Sequence, residues 1–571
     1  MCRLRITFAQ KFDFCAMEHI PSFNLLIKKS IIDNWNLDAL TDYKGITLQY
    51  HDVARKIEKL HILFKESGVK KGDKIALCGR NSANWAVVLL ATLTYGAIVV
   101  PIQHEFTAEQ IHNIVNHSEA KLLFAGDVVS TQVNPEEMPE LQGIIYIPDY
   151  SLFYSNSEKL SYTREHLNEI YGHKYPKYFR KEHVAYHEDQ SEELAMINYT
   201  SGTTGFSKGV MLPYRALWSN IDFLLNNIGN HLPANCDILA ILPMAHMYGL
   251  SCEFLFSFIA GNHTYFLTRL PSPTIIHEAF QEIHPALIVA VPLIIEKIVR
   301  KKIMPQLQTN RMKLLKSMPM IKKKINEKIL EYVKDEFGGN AYEIVIGGAG
   351  LNPEIEKFFN NINFPITVGY GTTETAPLIS MSDWKKFEPG SCGAVVDRME
   401  VKIASDDPEN IPGEILTRGM NVMQGYFKNP EATQAAFNEE GWFHTGDLAT
   451  MDKNGSIFIK GRIKNILLGS NGQNIYPEEI ENKLNSMAMV NESLIFQKDD
   501  KLVGLVYPDM DEAKLMGFTL TDLLNIMEQN RAELNKQLPA FCKISKIHLQ
   551  QEEFKKTPKK SIKRYLYQES V

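Results

Sequence analysis

Four short, almost wholly apolar runs recur along this chain: Lys74-Ile75-Ala76-Leu77-Cys78, Lys121-Leu122-Leu123-Phe124-Ala125, Asp237-Ile238-Leu239-Ala240-Ile241-Leu242 and Ala286-Leu287-Ile288-Val289-Ala290. Between them lie stretches with helical spacing. A strand apolar on both faces must be covered on both, so alternation of this kind predicts parallel sheets sandwiched by helices. From Ile46 the unit is explicit: a strand Thr47-Leu48-Gln49-Tyr50, a helix carrying Val53, Ile57, Leu60 and Leu63, turns at Gly68 and Gly72, then the strand at Lys74. With 571 residues, 44% of them hydrophobic, the chain can bury a large core and should form more than one domain. It shows no internal repeat and no long low-complexity segment.

Between Ser82 and His104 there is no Asp, Glu, Lys or Arg, a length close to that of a membrane span. Asn84, Thr92, Thr94, Gly96 and the run Ala97-Ile98-Val99-Val100-Pro101 divide it instead into a buried helix and a short core strand. Residues Met1 to Ala16 carry no continuous apolar stretch followed by a cleavage site, so no secretory signal is expected, and Met17 is an alternative start. A net charge of -6 and a pI near 6.3 argue against a nucleic-acid binder. The seven cysteines (Cys2, Cys15, Cys78, Cys236, Cys252, Cys392, Cys542) contain no C-x-x-C pair, which predicts neither a disulfide framework nor a zinc site and points to the cytosol.

The segment Tyr199-Thr200-Ser201-Gly202-Thr203-Thr204-Gly205-Phe206-Ser207-Lys208-Gly209-Val210 reads as an anion cradle. Its glycines let backbone N–H groups turn inward, its hydroxyls add donors, and Lys208 supplies a cation suited to a polyphosphate. The spacing is not that of a P-loop, since Lys208 precedes Gly209 and two residues, not four, separate Gly202 from Gly205. Such a run is more often a surface loop. Here Leu194-Ala195-Met196-Ile197 before it and Val210-Met211-Leu212 after it join two buried elements, which favours a functional role.

From Arg300 to Glu336 a lysine-rich segment, including Lys322-Lys323-Lys324, interleaves with Leu314, Leu315, Ile321, Ile325, Ile329 and Val333. A pair of surface helices with solvated lysines is expected, the alternative being contact with an anionic membrane. After Gly461, turns at Gly469 and Gly472 lead to Tyr476-Pro477-Glu478-Glu479-Ile480-Glu481, where proline and acidic residues mark a helix start and open a small α+β unit.

The 199–210 loop resembles the signature loop of the adenylate-forming superfamily, which includes acyl-CoA synthetases, luciferases and peptide-synthetase adenylation domains. Further segments resemble that family's motifs in order: Leu242-Pro243-Met244-Ala245-His246-Met247-Tyr248-Gly249, Gly369-Tyr370-Gly371-Thr372-Thr373-Glu374, Trp442-Phe443-His444-Thr445-Gly446-Asp447 and Gly461-Arg462-Ile463-Lys464. The resemblance implies an α/β fold with a large N-terminal domain of parallel sheets covered by helices, residues 18–461, and a small, mobile α+β C-terminal domain, residues 462–571. It also implies a site. Thr200, Ser201, Gly202, Thr203, Thr204, Gly205 and Lys208 would hold the phosphates of ATP, with Thr204 and Glu374 on Mg2+. Gly347-Gly348-Ala349-Gly350 would be a strand edge along nucleotide and acyl chain; Tyr370, with Gly371, Thr372 and Thr373, would stack on adenine. Asp447 and Arg462 would take the ribose, Lys464 would mark a hinge, and His246 would line or gate the acyl pocket, although a lone histidine there is more often a satisfied core residue.

Near the end, Lys555-Lys556-Thr557-Pro558-Lys559-Lys560-Ser561-Ile562-Lys563-Arg564 resembles the motif bearing the adenylation lysine, with a departure. Aligned on Thr557 and Arg564, the usual lysine position is Ser561 and the usual glycine is Lys560. Lys560 is the expected catalytic lysine, with Lys559 and Lys563 as substitutes. Ser207, where the family more often has proline, is a second departure. The run Ser470 to Glu481 looks most like long-chain fatty-acid:CoA ligases, which implies fatty acid, ATP and coenzyme A as substrates, no nucleic acid, and at most peripheral membrane contact. An acyl carrier protein as acceptor is the rival, and a non-catalytic nucleotide or lipid binder is a second one.

Overall fold

The computed structural model describes residues 20–200, 208–268, 272–307, 322–468, 474–498, 501–556 and 562–568. Two large sheets carry the first two thirds of the chain. The eight-stranded one runs in the order Gly425–Tyr426, Lys208–Pro213, Leu194–Thr200, Ile98–Ile102, Lys74–Cys78, Ala120–Ala125, Gly143–Tyr146, Leu152–Ser155. Its central strands pair parallel, while both ends are antiparallel. The seven-stranded sheet, ordered Ile366–Val368, Glu343–Ile346, Leu287–Ala290, Asp237–Ala240, His263–Phe266, Asp38–Asp42, Thr47–Gln49, is parallel except for its last pair. All four apolar runs are therefore strands, and each sits inside one of these sheets.

The uncharged stretch after Ser82 forms the expected helix, Ala83–Tyr95, and strand, Ile98–Ile102. Ser82 Oγ caps the helix at the Trp85 N–H (3.2 Å), and every residue from Trp85 to Thr94 is buried. A helix apolar all round belongs inside a protein core or a membrane. This one is core, and no helix among the described residues is long and apolar enough to cross a membrane. In the lysine-rich segment, helix Lys322–Glu336 buries Ile325, Ile329 and Val333, so its apolar face packs inward while Lys323 and Lys324 are exposed. Residues 308–321, with Leu314, Leu315 and Ile321, lie outside the described residues.

Beside the parallel sheets stands a four-stranded antiparallel sheet that periodicity had not announced: Met399–Ala404, Gly413–Gly419, Phe443–Met451 and Ile457–Arg462. Its strands are half exposed, its second and third are joined through the strand Gly425–Tyr426 and the helix Pro430–Ala436, and its own small core is Ile379, Ile403, Ile415, Ala449 and Ile457. Alternation on one buried face leaves a weaker imprint than a continuous apolar run.

The C-terminal part is α+β, with helices Pro477–Leu484, Met510–Met516 and Leu520–Gln537 around the sheet Val490–Lys498, Lys501–Pro508, Ile544–Leu549. Its core includes Ile480, Leu484, Ile495, Val506 and Leu534. Arg564 closes the unit, its Nη2 donating to both Glu481 oxygens at 2.6 and 2.7 Å and its Nη1 to the Ile495 carbonyl at 2.9 Å. This part meets the rest of the chain through polar contacts: Arg300 to the Asn485 carbonyl (3.2 Å), Lys301 to Asp511 (3.3 Å) and Asn352 Nδ2 to Ser486 Oγ (2.8 Å). The five described cysteines are free thiols.

Candidate active site

Parallel strands end on the same side of their sheet, and loops at those carboxyl ends form the usual crevice of an α/β protein. Three motifs arrive there together: Leu242 to His246 after strand Asp237–Ala240, Gly347 to Gly350 after Glu343–Ile346, and Tyr370 to Glu374 after Ile366–Val368. The expectation of a strand edge at Gly347 to Gly350 holds only for its first residue: Gly347 is buried and its N–H still donates to Ala290 O (3.1 Å), whereas Gly348, Ala349 and Gly350 form the exposed loop beyond the strand. Gly348 has φ +83°, a left-handed conformation that explains the glycine and takes the backbone out of the ladder.

The antiparallel register places Asp447 opposite Arg462. Asp447 is 5% exposed, and its carboxylate accepts from the Tyr370 hydroxyl on Oδ2 (2.7 Å) and forms an ion pair with Arg462 Nε at Oδ1 (2.9 Å). Burial raises the Asp447 pKa above 3.8, opposed by Arg462 and Tyr370 and reinforced by the charges of Glu374 and Glu478. The Tyr370–Asp447 bond joins the two motifs directly. Glu414 braces the turn, accepting from Gly446 N–H (3.1 Å) and pairing with His444 (2.8 Å). Gly446, Arg462, Ile463 and Lys464 line a cleft of about 300 Å³. Loss of solvent and the adjacent Arg462 charge lower the Lys464 pKa.

Gly371 is exposed, yet a Cβ there would lie 1.8 Å from the Pro377 carbonyl oxygen, so the Tyr-Gly-Thr-Thr turn tolerates no side chain. The turn is tied by Thr372 N–H to Pro377 O (2.9 Å) and to Thr375 Oγ1 (3.1 Å), with Thr373 buried inside it. Glu374 follows. It accepts from the Tyr426 hydroxyl at 2.9 Å, and the Lys208 ammonium stands 4.7 Å from the centre of the Tyr426 ring. Thr200 and Lys208 are directly paired residues, so the ends of the anion loop are held side by side. Ser201, Gly202, Thr203, Thr204 and Gly205 between them, and Ser207, lie outside the described residues, as do Lys559, Lys560 and Ser561.

Among the described residues no cluster of three or more His, Cys, Asp or Glu could hold a metal by itself. A magnesium ion brought with a nucleotide keeps most of its waters and needs one or two carboxylates, and Glu374 is a carboxylate that could serve it. Both Asp447 oxygens retain a second lone-pair position after their present bonds, which suits a vicinal diol.

His246 is half-buried, with its N–H on the Pro243 carbonyl (3.0 Å) and its own carbonyl accepting from Leu250 N–H (2.9 Å). The loop that carries it is gripped by three side chains that sequence reasoning missed. Asn81 bonds both Leu242 O (2.7 Å) and Met244 N–H (2.9 Å), Asn198 bonds Ala245 O (3.1 Å), and Glu253 accepts from the N–H groups of Ile241 (3.1 Å) and Leu242 (3.0 Å). Glu253 lies fully buried in a π-helical turn, Leu250–Leu255, and burial raises its pKa well above 4.5. One signal was available: Glu253 is the only charged residue between Asp237 and Arg269. Asn81, Asn198 and Tyr426 offered none, because each is defined by a partner far along the chain.

The strand-end turn that carries Tyr370 and Glu374 thus meets Asp447 and Arg462 of the antiparallel sheet, in an α/β body of the kind found in AMP-binding enzymes. The chain belongs to the AMP-binding enzyme family, whose model matches residues 33–427, and the model of the AMP-binding enzyme C-terminal domain matches residues 464–570. It is 25% identical over 530 residues to the long-chain-fatty-acid--CoA ligase ACSBG2 of Mus musculus, covering 87% of this chain and 76% of that one. Long chain acyl-CoA synthetase 3 of Arabidopsis thaliana is 26% identical, with 94% and 85% covered. Among solved structures, ATP-bound MatB from Rhodopseudomonas palustris has the same fold, with a TM-score of 0.74, 21% identity and 96% and 99% of the two chains covered.

Proposed function

We propose that this chain is an AMP-forming acyl-CoA ligase that activates a long-chain fatty acid and passes it to coenzyme A. In the first step a carboxylate oxygen attacks the α-phosphorus of ATP, the bond to the pyrophosphate oxygen breaks, and an acyl-adenylate forms. In the second the thiol sulfur of coenzyme A attacks the acyl carbon, the thiol proton leaves to solvent, and AMP departs. One anion attacks another in the first step, so the site must neutralise phosphate charge. We assign Thr200, Lys208 and the loop between them to the phosphates, Asp447 and Arg462 to the ribose, and Tyr370 with Gly371, Thr372, Thr373, Gly348 and Ala349 to the base and its surroundings. Glu374 and Thr204 would hold Mg2+, which when bound screens charge on the phosphates. His246 is assigned to the acyl pocket.

The observation that supports this reading is a pair of contact sets, Lys208–Tyr426–Glu374 and Tyr370–Asp447–Arg462, joined through the turn from Tyr370 to Glu374. The long-chain preference is supported by the names of the curated relatives. The division at 461/462, with Lys464 at a hinge, is supported by the polar character of the contacts between the C-terminal part and the rest, because small polar interfaces permit domain motion. A rotating small domain would bring Lys560 to the carboxylate for adenylation and withdraw it for thiol entry. Lys556, paired with Glu492 at 2.9 Å, is already engaged. A cytosolic, reducing setting with at most peripheral membrane contact suits the free thiols and the inward-facing helix Lys322–Glu336.

The deciding experiment is pyrophosphate release measured with ATP, Mg2+ and carboxylic acids of increasing length, with coenzyme A or acyl carrier protein as acceptor. Release with long acids and thioester formation on coenzyme A are expected. Thioester only on the carrier protein would replace the acceptor, and intact ATP with every acid would leave a non-catalytic binder. Lys560→Ala should abolish adenylate formation yet still convert supplied acyl-adenylate to thioester; full pyrophosphate release would move the role to another lysine.

A further inference from the structure

Tyr426 lies where two distant motifs touch. The strand Lys208–Pro213 leaves the anion loop, and the two-residue strand Gly425–Tyr426 pairs with it antiparallel, Tyr426 opposite Val210 and Gly425 opposite Met211. Gln424 N–H to Met211 O (2.9 Å) and Phe427 N–H to Gly209 O (2.7 Å) extend the ladder on either side. This register presents the face of the Tyr426 ring to Lys208, whose Nζ is 4.7 Å from the ring centre. The Tyr426 hydroxyl meanwhile donates to Glu374 Oε1 (2.9 Å), and Met423 N–H donates to the Glu374 carbonyl (2.8 Å). One short segment therefore grips Glu374 by main chain and side chain and touches Lys208 as well. The tyrosine itself is anchored: it is 8% exposed, and its N–H donates to Thr433 Oγ1 (2.9 Å).

We propose that Tyr426 is a positioning residue of the nucleotide site, holding the Lys208 ammonium over its ring and the Glu374 carboxylate on its hydroxyl at a set separation. The chemistry of the residue fits both tasks. A lysine has much rotamer freedom to lose, and an aromatic face restrains its ammonium without neutralising the charge that a phosphate needs. A carboxylate in the same place would cancel that charge. A neutral phenol donor likewise fixes one oxygen of Glu374, and so the plane in which the other is offered, without adding a competing cation. The inference rests on the proposed roles of Lys208 and Glu374 and adds the element that couples them.

The test uses the full-length protein and equilibrium binding of α,β-methylene-ATP, which cannot be cleaved at the reacting bond, measured by calorimetry in Mg2+ and in EDTA. Tyr426→Phe keeps the ring and loses the donor. Its affinity in EDTA should stay within about twofold of the unaltered protein, while the enhancement by Mg2+ falls about tenfold, the scale of one hydrogen bond to a charged group. Tyr426→Leu removes the ring as well, and its affinity in EDTA should also fall about tenfold. Should Tyr426→Leu fail to fold, Tyr426→Phe decides alone, because it preserves the packing volume. A tyrosine with only a structural role would lower the melting temperature and weaken both conditions alike. That pattern, or an undiminished Mg2+ enhancement in Tyr426→Phe, overturns the proposal. If the unaltered protein binds no analogue under either condition, the nucleotide-site reading falls and this inference with it.

Discussion

Removal of the Asp447 carboxylate is the most discriminating single perturbation of the site. Its two oxygens offer four lone-pair positions, of which the Tyr370 hydroxyl occupies one at 2.7 Å and the ion pair with Arg462 Nε at 2.9 Å takes up another. Two remain for a ribose diol. A hydrogen bond to a charged acceptor contributes about 1.5–3 kcal/mol, so two are worth at least ~3 kcal/mol, or about a hundredfold in affinity. The assay is a cycle: ATP and 2′,3′-dideoxy-ATP are titrated into the unaltered protein and into Asp447→Ala. The unaltered protein should favour ATP by about a hundredfold, and the variant should bind both nucleotides alike. The fold must survive for this to count. Arg462 has a half-exposed side chain and can return to water, whereas the Tyr370 hydroxyl loses its acceptor at a cost of about 1–3 kcal/mol, measurable by urea unfolding. Asp447→Asn, which keeps an acceptor for Tyr370, should lose less stability. The pH dependence has a definite sign. Burial raises the Asp447 pKa above 3.8, so its favourable contribution to folding is complete below that value and is lost as pH rises through the raised value. Relative to Asp447→Asn, the unaltered protein should therefore gain stability on acidification while its nucleotide affinity falls. A folded Asp447→Ala that still prefers ATP over the dideoxy analogue by the full ratio would refute the ribose assignment.

The other predictions concern support for the same machinery. Arg564→Ala leaves Glu481 buried without its partner and should cost about 3–5 kcal/mol in the C-terminal part, seen as accelerated hydrogen exchange in helix Pro477–Leu484. Burial, opposed by Arg564, raises the Glu481 pKa to about 7, so stability relative to Glu481→Gln should decline as pH rises from 4.5 through that value. Glu253→Ala orphans two buried N–H groups, at about 2 kcal/mol or more, and should raise KM for the acid by loosening the His246 loop. Glu253→Gln, which keeps an acceptor there, should lose less in a parallel denaturant melt. Gly371→Ala forces a methyl against the Pro377 carbonyl and should cost about 1–3 kcal/mol with a fall in pyrophosphate release; a fully active, equally stable variant would contradict the close approach.

The parts of this protein that the sequence determined by itself are those whose physics is local. The runs at Lys74, Lys121, Asp237 and Ala286 had to be buried strands because the apolar residues that fill them, apart from a charged residue at the start of the first three, gain nothing by facing water, and the uncharged Ala83–Tyr95 had to be an interior helix for a similar reason. Gly371 stands where close backbone approach excludes every other side chain, and Pro477 with its acidic neighbours announces a helix start within one turn. The antiparallel sheet around Ile415 and Ala449 was not legible, since half-exposed alternation over short strands resembles loop. Tertiary structure alone decided which polar groups meet. Tyr426 lies 52 residues from Glu374, and Asn81 lies 161 residues from the Leu242 carbonyl it holds. An isolated tyrosine or asparagine carries no mark of its partner; the partner is set by strand order and register, which depend on how all the apolar surfaces are buried at once.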